Sequence, residues 1–225
     1  MQSVRKELFD ILKPYFNDRK YKFFNNSGDP RFVKVDQGIV VHFFFNFFRN
    51  GSEVGFSRFN ISHLEIEDII LEISGPNWIL DDYLKKDKYF LSTIIDNNSE
   101  ININEDRPLE TKKQVQEYAK AIKHYTETNG KAFLDKYSYL PNLLIEMDKL
   151  EQEGKGWYEI IDGMGSYLFR VLIISKLCND PDFDRKLSIC DDNFNTDPIL
   201  IRDGWQPYYE QLKLKLSALS PKYNL

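Results

Sequence analysis

The sequence predicts an α+β protein, with an antiparallel sheet from the N-terminal half packed against N-terminal and C-terminal helices. Three observations carry that expectation. Ile39–Phe48 reads Ile-Val-Val-His-Phe-Phe-Phe-Asn-Phe-Phe, a β-branched and aromatic run that suits a pleated strand and would scatter its rings around a helix. Turn chemistry flanks it, Asp36-Gln37-Gly38 before and Asn50-Gly51 after. Beyond about residue 108 the apolar spacing changes to a helical period, so a strand-rich front is followed by a helical back.

As a strand, Ile39–Phe48 puts Ile39, Val41, Phe43, Phe45 and Phe47 on one face and Val40, His42, Phe44, Asn46 and Phe48 on the other. The first face is the expected main core. The second, with two polar members, is expected to be covered in part or used.

Taken in order, Ser3 suits a helix cap for Val4, Leu8, Ile11, Leu12 and Tyr15, with Pro14 expected to kink or end that helix. A loop over 25–30 leads to a strand over 31–36, which pairs with Ile39–Phe48; a strand over 54–61 follows. Ser62-His63-Leu64-Glu65 fits a capping box, with Ile66, Ile69, Ile70 and Ile73 at helical spacing and Gly75-Pro76 as the stop, although the β-branched content leaves a strand open there. A strand is expected over 89–95 and an acidic, Asn-rich loop over 96–108.

Helices are then expected over 111–128 (Val115, Tyr118, Ala119, Ile122, Tyr125 inward), 141–152 and 166–178, the last apolar nearly all round. A short helix over 183–190, a polar loop over 191–203 and a helix over 206–219, with Pro207 in its first turn, complete the chain. We expect a single α+β domain over 1–225, sheet-rich over 1–108 and helical over 109–225.

Length bounds the chain to one large domain or two small ones: it has 225 residues, 42% hydrophobic and 29% charged. A net charge of −5 and only short Lys pairs argue against a nucleic-acid binder. Cys178 and Cys190 make no disulfide framework and read as buried hydrophobes. The amphipathic, acidic N-terminus is unlike a secretory leader, and no apolar run is long enough to span a bilayer, so a cytoplasmic location with no membrane association is expected.

His42, His63 and His124 show no metal spacing, and no cofactor or metal is expected. Asp180-Pro181-Asp182-Phe183-Asp184 has the alternating acids of a calcium loop, but Arg185 stands where such a loop needs glycine, so it reads as a helix start. Gly163-Met164-Gly165-Ser166 precedes a helix without completing a phosphate-binding motif; tight packing is the better reason for its glycines. Arg170, inside an apolar helix, needs a carboxylate partner if buried, and Asp162 and Glu159 are near in sequence. No nucleophile motif is present, so no reaction is assigned.

The N-terminal helix ending Leu12-Lys13-Pro14-Tyr15-Phe16, the phenylalanine-marked strand, the aromatic hairpin Phe43–Phe48 and the helical tail together resemble small bacterial families known only as domains of unknown function. Some of these accompany polymorphic-toxin loci, where an immunity role is expected. The resemblance covers about the first third of the chain. It implies an acidic, non-enzymatic, cytoplasmic binder, and it carries over no functional residue.

The first reading is therefore a non-catalytic protein-binding protein whose acidity complements a basic, toxin-like partner. The alternative is a small-ligand binder or enzyme, with a pocket between the sheet and the helix 166–178 using Arg170, His42, Asn46 and Asp162.

Overall fold

The computed structural model describes residues 4–25, 30–48, 53–76, 89, 91–97, 101, 109, 111–163 and 165–224, and the backbone alone for 48 and 53–56. It bears out the α+β class: a five-stranded sheet in the order β1-β2-β3-β4-β5, together with nine α-helices among the described residues. Ser3, the Asn50-Gly51 turn and most of the loops 25–30 and 96–108 lie outside the described residues.

The chain divides into two compact units, Met1–Ile61 with Ile95–Lys136, and Ser62–Ile94 with Tyr137–Leu225. We call them the sheet unit and the helical unit. Neither coincides with residues 1–108 or 109–225.

The sheet unit opens with α1 (Val4–Asp18), which runs through Pro14 instead of ending there. One missing donor is outweighed because Phe16, a half turn beyond, is fully buried and stacks on Phe32 with ring centroids 4.1 Å apart. β1 (Lys22–Phe24), which the sequence did not suggest, pairs antiparallel with β2 (Arg31–Asp36), and β2 pairs antiparallel with β3 (Ile39–Phe48). The register sets Phe23, Phe32 and Phe43 side by side on one face.

That face is the core. Phe43 and Phe45 are buried, and Phe9 from α1 packs edge-on to Phe32, Phe45 and Phe47. α3 (Lys112–Glu127) starts at a Thr111/Gln114 capping box and buries Val115, Tyr118, Ala119, Ile122 and Tyr125, as its spacing predicts. Tyr125 packs against Phe43 and Phe59. A further helix, α4 (Asn129–Tyr137), begins almost at once where the sequence shows only a stop; Gly130 lies so close to the Tyr125 ring that a Cβ would sit 2.9 Å from it.

β4 (Glu53–His63) runs two residues past the expected strand, and α2 (Leu64–Ile73) starts directly from it. The capping box expected at Ser62 does not form: Ser62 Oγ donates to the Leu91 carbonyl, and Glu65 accepts from Lys222 and Tyr223. Ile66, Ile69, Ile70 and Ile73 are nonetheless buried on one helical face, which settles that stretch as helix.

Among the described residues of 89–95, strand pairing is confined to β5 (Ile94–Ile95); the Thr93 carbonyl accepts from Asp162 N–H (2.9 Å), and Ser92 and Thr93 are engaged through their side chains.

The rest of the helical unit comprises α5 (Leu140–Gln152), a 3-10 turn (Trp157–Glu159), α6 (Ser166–Leu177), α7 (Phe183–Thr196), α8 (Pro198–Arg202) and α9 (Gln206–Ala218). α6 is buried nearly all round, as expected of a central helix. The polar loop expected over 191–203 is helical instead. Phe194 stacks on Tyr209 at 4.2 Å, Tyr209 donates to Asp191 (2.9 Å), and Asp197 caps α8. Tyr209 lies in α9 and gives the polar stretch a buried face.

Candidate functional site

Arg170 on α6 and Glu67 on α2 form the centre of the helical unit's polar interior. Glu67 sits among the isoleucines of α2, and α2 and α6 pack together, which brings the two side chains face to face. Arg170 Nε donates to Glu67 Oε1 (2.9 Å) and Nη2 to Oε2 (2.6 Å), a bidentate pair with both side chains at most 2% exposed. Nη1 donates to Ser166 Oγ (2.8 Å) and to the Asp162 carbonyl (3.1 Å).

Thr93 Oγ1 donates to Glu67 Oε1 (2.7 Å) and accepts from His63 N–H (2.9 Å). The His63 ring nitrogen Nε2 lies 2.8 Å from the Tyr137 carbonyl. Burial opposes the guanidinium's charge and Glu67 more than offsets it, so the Arg170 pKa is raised; burial lowers that of His63.

The expected carboxylate partner of Arg170, Asp162 or Glu159, is thus corrected to Glu67. Asp162 is beside Arg170 but contributes its backbone oxygen; its carboxylate accepts from Ser92 Oγ and Gly163 N–H (2.7 Å). The nearby glycines serve close packing. Gly163 has φ +99°, and a Cβ there would meet Ser166 Oγ and Arg170 Nη1, both held in the network.

His42 and Asn46 belong to β3 in the sheet unit, whereas Arg170 and Asp162, which adjoin, belong to the helical unit. His42 is buried and stacks on Phe44 at 5.2 Å. Arg31, also buried, lies 5.6 Å and 5.5 Å from the Phe24 and Phe44 ring centroids on the same face. Asn46 is half-buried one pleat further along.

Burial, joined by the Arg31 charge, pushes the His42 pKa down from 6.5 to about 3. The unfolded chain therefore takes up a proton below pH 6.5 that the folded chain refuses until about pH 3, and stability falls as pH drops through that window. At pH 4.5 the loss is about 2.5 kcal/mol relative to pH 7. Urea unfolding followed by amide exchange in β2 and β3 should show that slope in the wild type and a shallower one in His42→Phe; equal slopes would show that His42 does not carry it.

The remaining candidates are structural. Asp180 accepts from Asp182 N–H (2.8 Å) and from the buried Lys186 (2.7 Å), which also reaches Asp148, so the apparent calcium loop is the start of α7. Cys178 and Cys190 are free and buried, and burial holds the Cys178 thiol at about 12, well above the range in which a thiolate is available. Among the described residues no group of three or more His, Cys, Asp or Glu could hold a metal ion, and no helix is long and apolar enough to cross a membrane.

What the interior can do chemically is limited: the Arg170 guanidinium is committed to four hydrogen bonds and shielded from solvent. The two units differ in charge. The sheet unit carries 17 Lys and Arg against 14 Asp and Glu, a net +3; the helical unit carries 13 against 21, a net −8.

Of the large apolar side chains exposed among the described residues, Tyr139, Ile145, Tyr158, Ile199, Ile201 and Leu214 are in the helical unit and Val35 alone is in the sheet unit. Compared with known proteins, the chain matches no family model, no curated protein and no solved structure.

Proposed function

We propose that this chain is a non-enzymatic, immunity-like protein that binds a basic protein partner through its helical unit. The observation that supports this is the coincidence of a net −8 with six of the seven large apolar side chains exposed among the described residues. Apolar side chains left in water are what an interface core is made from, and a surrounding field of one sign selects and steers a partner of the other. The buried Glu67–Arg170 pair fits the same reading, because it fixes α2 against α6, the central helix on which α5 and α9 of this surface pack.

Carbodiimide cross-linking, which joins carboxylates to lysines, tests it on the full chain isolated from its native host. One stoichiometric, net-positive partner is expected, linked through acids such as Asp182, Asp184 and Asp192, and about 0.5 M salt present before the carbodiimide is added should prevent the link by screening surface charge. An acidic partner, no stoichiometric partner, or links confined to α1 and α3 would overturn the reading.

A further inference from the structure

We propose that residues 219–224 form a strap over the end of α6 that opens while the rest of the helical unit stays folded, with the Glu65 carboxylate as its latch. The strap follows α9 and is neither helix nor strand. It is bonded to the two residues that flank Cys178. The N–H groups of Lys222 (2.8 Å) and Tyr223 (3.0 Å) both donate to the Leu177 carbonyl, an acceptor that the end of a helix leaves without an intrahelical donor. Asn179 Nδ2 donates to Asn224 Oδ1 (3.5 Å). Cys178, between these two anchors, is fully buried.

The latch is on α2. Lys222 Nζ donates to Glu65 Oε2 (2.8 Å) and the Tyr223 phenol to Oε1 (3.0 Å), so one carboxylate holds two consecutive side chains of the strap. The Tyr223 ring also meets the Tyr139 ring edge to face, with centroids 5.7 Å apart.

The manner of fastening decides how the strap opens. None of its side chains is buried, and its hold is mainly polar. The Lys222 side chain is 55% exposed, where an ion pair is weak and is screened by salt. The helix beneath is the contrary case, with Leu172, Ile173 and Ile174 wholly buried. A segment tied by a few water-accessible bonds to a densely packed helix opens locally, well before the unit unfolds. Opening brings water to the end of α6. The Cys178 thiol, which burial holds at about 12, then falls towards the ordinary value of about 8.5 and becomes reactive.

Amide exchange and iodoacetamide labelling of the full chain near neutral pH test this. The Lys222 and Tyr223 amides should exchange about a hundredfold or more faster than those of Leu172, Ile173 and Ile174. Glu65→Ala should speed labelling of Cys178 about fivefold or more and leave Cys190, buried on α7, unchanged. Lys222→Ala, which leaves α2 untouched, should act in the same direction. Raising salt from about 50 to about 500 mM should speed Cys178 labelling in the wild type and much less in Glu65→Ala.

Strap amides as slow as those of α6 would overturn the proposal, as would Cys178 labelling that neither variant changes. So would labelling of Cys178 and Cys190 that rises together, which marks unfolding of the whole unit.

Discussion

Glu67→Ala should lower the stability of the helical unit by about 3–5 kcal/mol, because it strands the Arg170 guanidinium in a site closed to water. Arg170→Met should do similar harm by stranding Glu67, although Thr93 still donates to that carboxylate. The double replacement Glu67→Leu with Arg170→Met should cost far less than the sum of the two, since an apolar pair leaves no uncompensated charge.

Urea unfolding followed by tryptophan fluorescence reads this unit selectively: all three tryptophans, Trp78, Trp157 and Trp205, fall within it. Additive single and double effects, or a single effect under about 1 kcal/mol, would mean that the pair is no tighter than an exposed salt bridge.

Phe43→Ala should destabilise the sheet unit by about 3–5 kcal/mol through the cavity it leaves. Phe43 is fully buried, with Phe45, Phe16, Phe59 and Tyr125 at ring-centroid distances of 5.2, 5.6, 6.1 and 6.4 Å. Those rings come from two strands and two helices, so they cannot all close in on the gap. Phe43→Leu should recover most of the loss, and Val35→Ala, on an exposed position of β2, should stay within about 0.5 kcal/mol. Amide exchange in β2 and β3 is the measurement; unchanged protection in Phe43→Ala would show that this ring cluster does not hold the sheet.

Both experiments act on features of different visibility in the sequence. The phenylalanine face of β3 is legible because strand alternation is local: knowing that 39–48 is extended is enough to place Phe43 and Phe45 together. The same holds for α3 and for the isoleucine face of α2, where period alone selects the buried side chains.

Arg170 stands out as a buried cation for the same reason. Its partner does not, for Glu67 is 103 positions away. One signal was present: Glu67 lies between Ile66 and Ile70 on a helix where Asp68 and Glu72 are exposed and Glu65 is half-buried. An acid on an apolar stripe asks for a cation, as Arg170 asks for an anion.

The stretch 191–203 shows the opposite case, where polarity suggested a loop. It folds into helix because Phe194, Asp191 and Asp197 each find a specific partner, two of them on or against Tyr209.

By itself the sequence determined the α+β class, the central aromatic strand and most of the long helices, since each depends on patterns a few residues long that burial on one face imposes. Only the tertiary structure decided which carboxylate neutralises Arg170, that His42 and Arg170 belong to different units, and that acidic charge and exposed apolar side chains gather on the same one. Charges and exposed side chains have no period of their own. Their neighbours are chosen by which distant elements pack within about 3 Å of one another, and that is a property of the folded chain.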